Sequence, residues 1–491
     1  MIDIWLVGKR RLVLAFGLGA VSALGQAPLG FWWATIAAFA GLIWLLDRVP
    51  DRRGAFLTGL FAGAGQFVLA LNWIIEPFLI DVARQGWMAP FAVLLLSFGL
   101  GLFWAGAAVT ARLFPDRSLG FVVSFVAFEW LRGVVLTGFP WAMAGHVWIG
   151  TPVDQLAALG GPSLLSLLTL LAAWLPVRWR WRGGAASAVL LTAGLTFGLL
   201  RLAQPLPEAG GPTLRLVQPN AAQAAKWDPE RAREFFDRLL TLTARGGPAD
   251  LTIWPETAVP YMLEYAPDVA GMVVAASGGR PVALGIQRAE GDRFFNSLRV
   301  LEGAGVETAR YDKAHLVPFG EYIPFGDLAY RWFGLRAFAA QAGNSYSAGP
   351  GPQVLNLGRF GKVLPLICYE AIFPRGVNAM PERADWMLQI TNDAWFGKLT
   401  GPFQHFAQAR LRAVEQGLPL IRVANTGITA VVDARGRVVA ELPFGVMEAL
   451  DTRIPGKLPP TPYSRWGDAP VLLLLAGLAL GAMAWRRRSA H

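Results

Sequence analysis

The chain has 491 residues, 54% of them hydrophobic and 16% charged, with a mean hydropathy of +0.41; soluble chains carry about 25% charged residues, so an ordinary soluble protein is excluded. The net charge of +10 invites a nucleic-acid partner. However, the basic groups stand beside apolar segments, as membrane topology requires, and no nucleic acid is expected.

Apolar stretches follow in chain order. Leu12 to Leu46 holds no charge but is interrupted at Gly25-Gln-Ala-Pro-Leu-Gly30, which predicts two helices and a tight turn. Gly54 to Ile75, Gln85 to Ala111 and Ser118 to Gly138 predict the third to fifth spans. Gln155 to Val177, starting late near Pro162, and Gly183 to Leu200 predict the sixth and seventh, and Ala469 to Trp485 the eighth. Lengths of about 17–25 residues suit a hydrocarbon core of about 30 Å. The first span reads as retained, since no small-residue cleavage pattern precedes its Pro28 turn.

The basic groups are Lys9 to Arg11, Arg48 with Arg52 and Arg53, Arg112 with Arg117, Arg178 with Arg180 and Arg182, and Arg486 to Arg488. They fall at alternate ends of the spans, with Arg84 the main exception. Both termini are therefore expected in the cytoplasm and residues 201–468 on the opposite side. The expected division is a seven-helix membrane region over 1–203, an extracytoplasmic domain over 204–468, and a last helix with a basic tail over 469–491.

In the fifth span Glu129 and Arg132 stand at i and i+3, where they can pair. An ionisable residue in a span is a functional candidate; a self-neutralised pair facing the bundle interior is the plainer reading. The far-side loops carry Trp73, Pro77, Phe78, Trp87, Phe139-Pro-Trp141 and Trp148. An aromatic belt accounts for them, as does a wall around a lipid entrance.

Residues 213–455 read as an α/β domain. Strands are predicted at Leu214–Val217, Leu251–Trp254, Pro281–Ile286, Ser297–Leu301, Val354–Leu357, Val363–Cys368, Trp386–Thr391 and Leu420–Ala424. A hairpin is predicted over Thr429–Leu442, turning at Asp433-Ala-Arg-Gly-Arg437. Helices are predicted at Pro229–Arg245, Pro260–Ala276 and Pro402–Gln416. Alternating strands and helices indicate a layered α/β fold.

Cys368 is the only cysteine, and a lone cysteine is usually a small buried hydrophobe. Its surroundings argue for more. Three stretches each put an ionisable residue at the end of an apolar strand. In Leu251-Thr-Ile-Trp-Pro-Glu256 the proline leaves the ladder and presents Glu256 on a loop. The second runs from Tyr311-Asp-Lys313 to Glu321, and the third is Val363-Leu-Pro-Leu-Ile-Cys368-Tyr-Glu370. A thiol needs a base or a field to ionise. Glu256 can take its proton, with Glu321 or Glu370 nearby raising its basicity by like-charge repulsion. Lys313 can lower the thiol pKa and stabilise an oxyanion. Singly, each residue also fits a surface ion pair or a loop; together they suffice for acyl transfer through a thioester.

Trp254-Pro-Glu256, the Lys313-to-Glu321 stretch and Cys368-Tyr-Glu370 resemble the Glu-Lys-Cys signature of the nitrilase superfamily. With spans around that domain, the whole chain resembles the membrane-embedded apolipoprotein N-acyltransferases, including at Phe139-Pro-Trp141 and Thr391-Asn-Asp-Ala-Trp-Phe-Gly397. The resemblance implies an eight-helix transmembrane bundle plus an α/β nitrilase-like αββα sandwich. It implies Glu256 as general base, Lys313 as oxyanion-stabilising cation and Cys368 as acyl-carrying nucleophile. Glu321 and Glu370 match supporting carboxylates, Tyr369 follows the nucleophile, and Trp227, Asn392 and Trp395 match positions around the site. No cofactor is implied, and His315 and His405 lack metal-ligand spacing.

The implied reaction is ping-pong. A phospholipid, typically phosphatidylethanolamine, acylates Cys368, and the α-amine of a diacylglyceryl-cysteine lipoprotein then takes the acyl group. The implied location is a bacterial inner membrane, with the catalytic domain in the periplasm. A membrane-anchored amidase or nitrilase with water as acceptor uses the same residues. A transporter or lipid scramblase predicts paired polar residues across several spans, where only Glu129 and Arg132 qualify.

Overall fold

The computed structural model describes residues 8–208, 210–223, 226, 228–324 and 345–489. The chain divides into two compact units. The first comprises Met1–Pro205, Leu399–Gln416 and Pro460–His491, and the second Leu206–Lys398 and Gly417–Pro459.

The first unit is helical. Gly8–Ser22, Trp32–Asp47, Arg52–Ala70, Ala89–Thr110 and Arg117–Arg132 lead to a long segment, Ala157–Ala203. Asp51 and Asp116 start two of these helices, accepting from Gly54 N at 2.9 Å and from Ser118 and Leu119 N at 3.0 Å. Such caps satisfy donors that a helix start leaves unpaired. The long segment leaves helical geometry at Gly160–Gly161 and again at Trp179–Arg180. Beyond the second break the chain doubles back: Ser187 Oγ donates to the Ala172 carbonyl at 2.9 Å. The sixth and seventh apolar stretches thus form a hairpin, turning at the arginines expected between them.

Apolar side chains face outward from this unit, with Leu95 74%, Val189 69% and Leu473 73% exposed. Such faces suit lipid rather than water. By length and composition, two described segments can cross a membrane, Val82–Leu113 and Pro152–Ala203. A third is added if Arg52–Ala70 and Asn72–Leu79, bent by 51°, count as one broken span. Trp32–Asp47 and Ala469–Ala484 are apolar but shorter. Of the eight apolar stretches expected, only the two or three segments named first are long and apolar enough to span by this measure among the described residues, because breaks and bends split some stretches and join others.

Glu129 and Arg132 lie 3.9 Å apart and buried. Glu129 Oε1 accepts from Ala144 N at 2.7 Å, and Arg132 donates to the carbonyls of Phe139 and Trp141 at 2.6 and 2.7 Å. The pair fastens the Phe139-Pro-Trp141 loop. The helix Gly401–Gln416, read from sequence as part of the α/β domain, packs in this unit: Trp141 Nε1 donates to Gln404 Oε1 at 2.6 Å, and Thr400 Oγ1 to Asn72 Oδ1 at 2.8 Å.

The second unit is built on two sheets. In chain order its described strands are β1 Gly210–Gln218, β2 Leu251–Ile253, β3 Val282–Glu290, β4 Arg293–Glu302, β5 Val306–Asp312, β6 Leu355–Asn356, β7 Lys362–Ile367, β8 Trp386–Thr391, β9 Leu420–Ala424, β10 Thr429–Val432, β11 Val438–Leu442 and β12 Glu448–Ile454. The orders are β12-β1-β2-β3-β4-β5 and β11-β10-β9-β8-β7-β6. In each sheet three parallel strands (β1 to β3, β7 to β9) are followed by two antiparallel ones. The two sheets thus share one topology.

Helices Pro229–Ala244 and Pro267–Ala276 lay Phe236, Leu239, Val273 and Val274 against Trp254, Val282, Leu284 and Ile286 of the first sheet. Each such side chain, fully buried, contributes about 1.5–3 kcal/mol. Arg215 of β1 grips Asp451 of β12 through two bonds, at 2.8 and 2.7 Å.

The strands missing from the sequence reading, β5 and β12, are the two edges of the first sheet. Their sequences, VETARYD and EALDTRI, are polar as edge strands tend to be, so they lack an apolar run. The sheets meet at the carboxyl ends of their parallel strands. There Asn220 N donates to the Asn425 carbonyl at 3.0 Å, and Ala221 N to Asn425 Oδ1 at 2.9 Å.

Candidate active site

Three chain bends bring Glu256, Lys313 and Cys368 to this junction. After β2, Trp254-Pro255 turns the chain onto β3 at Gly285. A Cβ on Gly285 would lie 2.4 Å from the Pro255 carbonyl oxygen and 2.6 Å from Glu256 Cα, so this close approach requires glycine. Glu256 is buried, with Oε1 accepting from Asn296 Nδ2 at 2.7 Å and Oε2 from the backbone N of Asn392 at 2.8 Å. Donors from both sheets thus orient one carboxylate.

Lys313 follows β5 and is 1% exposed. Its backbone is fixed on both sides, its N–H donating to the Asn296 carbonyl and its own carbonyl accepting from Gly349 N, both at 2.8 Å. Its Nζ lies 2.9 Å from Glu321 Oε2 and 3.7 Å from Glu256 Oε1. Burial works against the charge, but Glu321 and then Glu256 outweigh it and hold the ammonium well above the usual lysine range. Glu321 is itself held by Val317 N at 2.9 Å and Asn296 Nδ2 at 3.1 Å. Two fixed carboxylates beside a cation favour its charged form.

Cys368 comes directly after β7 with φ of 54°, a left-handed conformation that non-glycine residues seldom adopt outside functional turns. Glu370 secures this elbow. Its Oε2 accepts from Ile367 N at 2.7 Å, and its Oε1 accepts from Tyr311 Oη at 2.7 Å, Ala314 N at 2.9 Å and His315 N at 3.1 Å. Glu370 thus joins the bend bearing Cys368 to the bend bearing Lys313, its oxygens already engaged. Burial raises its carboxyl above the ordinary range, against the bonds from Ile367, Tyr311 and His315 and the charge of Lys313.

Burial pushes the Cys368 thiol well up and the charge of Glu256 adds to this, while Lys313 and a hydrogen bond with Thr391 pull it down. The buried sulfur is therefore favoured as a protonated thiol.

The other residues picked out in the sequence fall as follows. Asn392 follows β8, with Nδ2 donating to Gln223 Oε1 at 2.7 Å and Oδ1 accepting from Asn425 Nδ2 at 2.8 Å. Tyr369 is buried with its ring 4.9 Å from Phe373. Trp395 is half-buried on the turn Asp393–Phe396. Trp227 lies outside the described residues.

Residues that the sequence did not single out also converge here. Asn296, on β4, bridges Glu256 and Glu321. Lys226 is buried, donating to Thr257 Oγ1 at 2.8 Å and to the Glu256 carbonyl at 3.3 Å. Burial brings its ammonium down to about 8, with Glu256 opposing. Neither residue stands in a local pattern that would mark it.

The paired sheets and the acid, amine and thiol at their joined ends define a domain of the carbon-nitrogen hydrolase type. The family model described as Carbon-nitrogen hydrolase matches residues 213–462, and the one described as Apolipoprotein N-acyltransferase N-terminal domain matches residues 18–175. The chain is 40% identical to the apolipoprotein N-acyltransferase of Sinorhizobium medicae, over 93% of this chain and 92% of that one. It is 39% identical to that of Caulobacter vibrioides, over 94% and 92%, and 37% identical to that of Brucella melitensis biotype 1, over 99% and 98%. Among solved structures, an amidase from Nesterenkonia sp. AN1 aligns over 55% of this chain and 96% of its own at 19% identity, with a TM-score of 0.37. The chain belongs to the apolipoprotein N-acyltransferase family, a membrane-bound family of acyltransferases.

Proposed function

We propose that Cys368 takes a fatty acyl group from a phospholipid and passes it to the α-amine of a diacylglyceryl-cysteine lipoprotein. The observation that carries the assignment of roles is the buried Lys313, set between Glu321 and Glu256 and close enough to Cys368 to draw its thiol pKa down.

In the first half-reaction Glu256 removes the thiol proton as sulfur attacks the ester carbonyl. The S–C bond forms, the C–O bond breaks, and the proton goes to the departing glycerol oxygen. Lys313 stabilises the oxyanion between these events. In the second half the lipoprotein amine attacks the thioester. Nitrogen bonds to the carbonyl carbon, the C–S bond breaks, and Glu256 carries the amine proton to sulfur. Glu321 keeps Lys313 charged, and Asn296 and the Asn392 N–H hold Glu256 in place.

Phosphatidylethanolamine is the proposed donor. The proposed topology has eight crossings, both termini in the cytoplasm and residues 204–468 in the periplasm of a bacterial inner membrane. It rests on the alternation of basic groups and on the apolar outer faces of the first unit. Trp227, Tyr369 and Trp395 are proposed to line the approach to the sulfur.

Purified protein incubated with phospholipid labelled in its acyl chain should yield one acyl adduct, at Cys368, located by mass spectrometry. A diacylglyceryl peptide should then receive the label on its amine. An equal adduct on Cys368→Ala, or discharge to water alone, would refute the proposal.

A further inference from the structure

Beneath Cys368 lies a set of side chains that the acyl-transfer steps above do not use. Gln389 and Thr391 alternate along β8 and so share one face of the strand. Gln389 Nε2 donates to the Cys368 carbonyl at 3.0 Å. Thr391 is the hydrogen-bond partner of the thiol. Both arms lead to one ion pair: Arg422 NH1 donates to Gln389 Oε1 at 2.5 Å, Arg422 NH2 to Asp393 Oδ2 at 2.5 Å, and Thr391 Oγ1 to Asp393 Oδ1 at 3.0 Å. Arg422 stands opposite Gln389 in the β8–β9 register, and Arg422 and Asp393 are fully buried. The bonds close a ring that leaves Cys368 by its carbonyl and returns at its sulfur.

We propose that Asp393 and Arg422 are positioning residues for the nucleophile, fixing its left-handed backbone through Gln389 and its thiol through Thr391. A hydroxyl has one proton, and at rest Asp393 receives that of Thr391; donated to sulfur instead, the same proton favours the thiolate, the direction in which Thr391 moves the thiol. When sulfur loses its proton to Glu256, the hydroxyl turns and donates to the thiolate, and Asp393 retains Arg422 as its partner. The ion pair absorbs this switch without leaving a buried charge alone, which would be costly. A buried salt bridge thus serves as the hinge of a proton rearrangement next to the reacting atom.

The inference rests on Cys368 being the nucleophile, and the experiment separates the two claims. Single-turnover acyl-enzyme formation is measured against pH, with full-length protein in detergent and a fluorescent phospholipid. Cys368→Ala serves as the control; an adduct that persists in it overturns the nucleophile itself. Thr391→Val should slow acylation by on the order of tenfold and move its acid limb up by about one pH unit. Thr391→Ser should recover the rate to within about threefold. Asp393→Asn, which removes a negative charge near sulfur, should move the acid limb down. A purely structural role predicts no such opposed shifts. Thr391→Ala stands in if the valine variant does not fold. Wild-type rate and pH profile in a folded Thr391→Val or Thr391→Ala, or a serine variant as impaired as they are, overturns the positioning role alone.

Discussion

Glu256 and Asn392 lie 136 residues apart in the chain, yet the backbone N–H of one meets the carboxylate of the other at 2.8 Å. The bond runs from the end of β2 to the end of β8, the middle strands of the two parallel trios. The proposed base is therefore oriented by the sheet that also carries the nucleophile.

Replacing Glu256 by glutamine separates its two effects on sulfur. Its charge raises the thiol pKa, so alkylation of Cys368 by iodoacetamide at pH 7 should become faster. Acyl-enzyme formation should fall by about 10²–10⁴-fold, because a general base is lost. The amide also turns an NH₂ toward Asn296 or Asn392, costing about 1–3 kcal/mol in thermal unfolding. Slower alkylation together with slower acylation would count against this account.

Lys313→Met should leave two buried carboxylates facing each other without their cation. Loss of one partner of such a cluster costs about 3–5 kcal/mol, measurable by thermal unfolding, and acyl transfer should become undetectable. The folded pKa of Lys313 lies above its ordinary value of 10.5. Its stabilising contribution is therefore complete below that pH and is lost only as pH rises through the folded value. Wild type and Lys313→Met should converge in melting temperature only in strong alkali.

The Glu370 clamp predicts a graded series. Tyr311→Phe removes one of four donors and should cost about 0.5–1.5 kcal/mol. Glu370→Gln should cost more, since its NH₂ must face a donor, and Glu370→Ala most, because Ile367, Ala314 and His315 all lose their acceptor. Acylation rates should fall in the same order in single-turnover assays.

Lys226 predicts a pH effect of the opposite sign to that of Lys313. Its folded pKa, about 8, lies below the ordinary 10.5, so between these values the unfolded chain binds the extra proton. Stability should rise with pH across that window. In Lys226→Met the rise should be weaker, and comparing denaturant midpoints of the two proteins at pH 7.5 and 10 would check it.

Glu256 and Cys368 were legible because each ends an apolar strand, a local pattern that needs no knowledge of the fold; Lys313, expected to do the same, instead ends the polar edge strand β5, and only its resemblance to a family motif marked it. The central strands β8 and β9 were legible to the residue for the same reason. Edge strands β5 and β12 were not, since their pattern is set by solvent on one side. Asn296, Lys226 and Arg422 were invisible for another reason. Each is a polar residue whose meaning lies in partners from other strands and loops, and no single stretch of sequence announces that. The helix Gly401–Gln416 shows the limit for organisation: its amphipathic pattern marks a helix but not which unit it joins.

The pairing of β1 with β12 has a consequence for the order in which the enzyme is made. Arg215 and Asp451 are 236 residues apart, so the first strand of the catalytic unit waits through synthesis of all the others for its edge partner. Closing a contact of such long range costs loop entropy that local contacts do not. Cys368 leaves the ribosome before the strand that completes the sheet carrying Glu256 and Lys313.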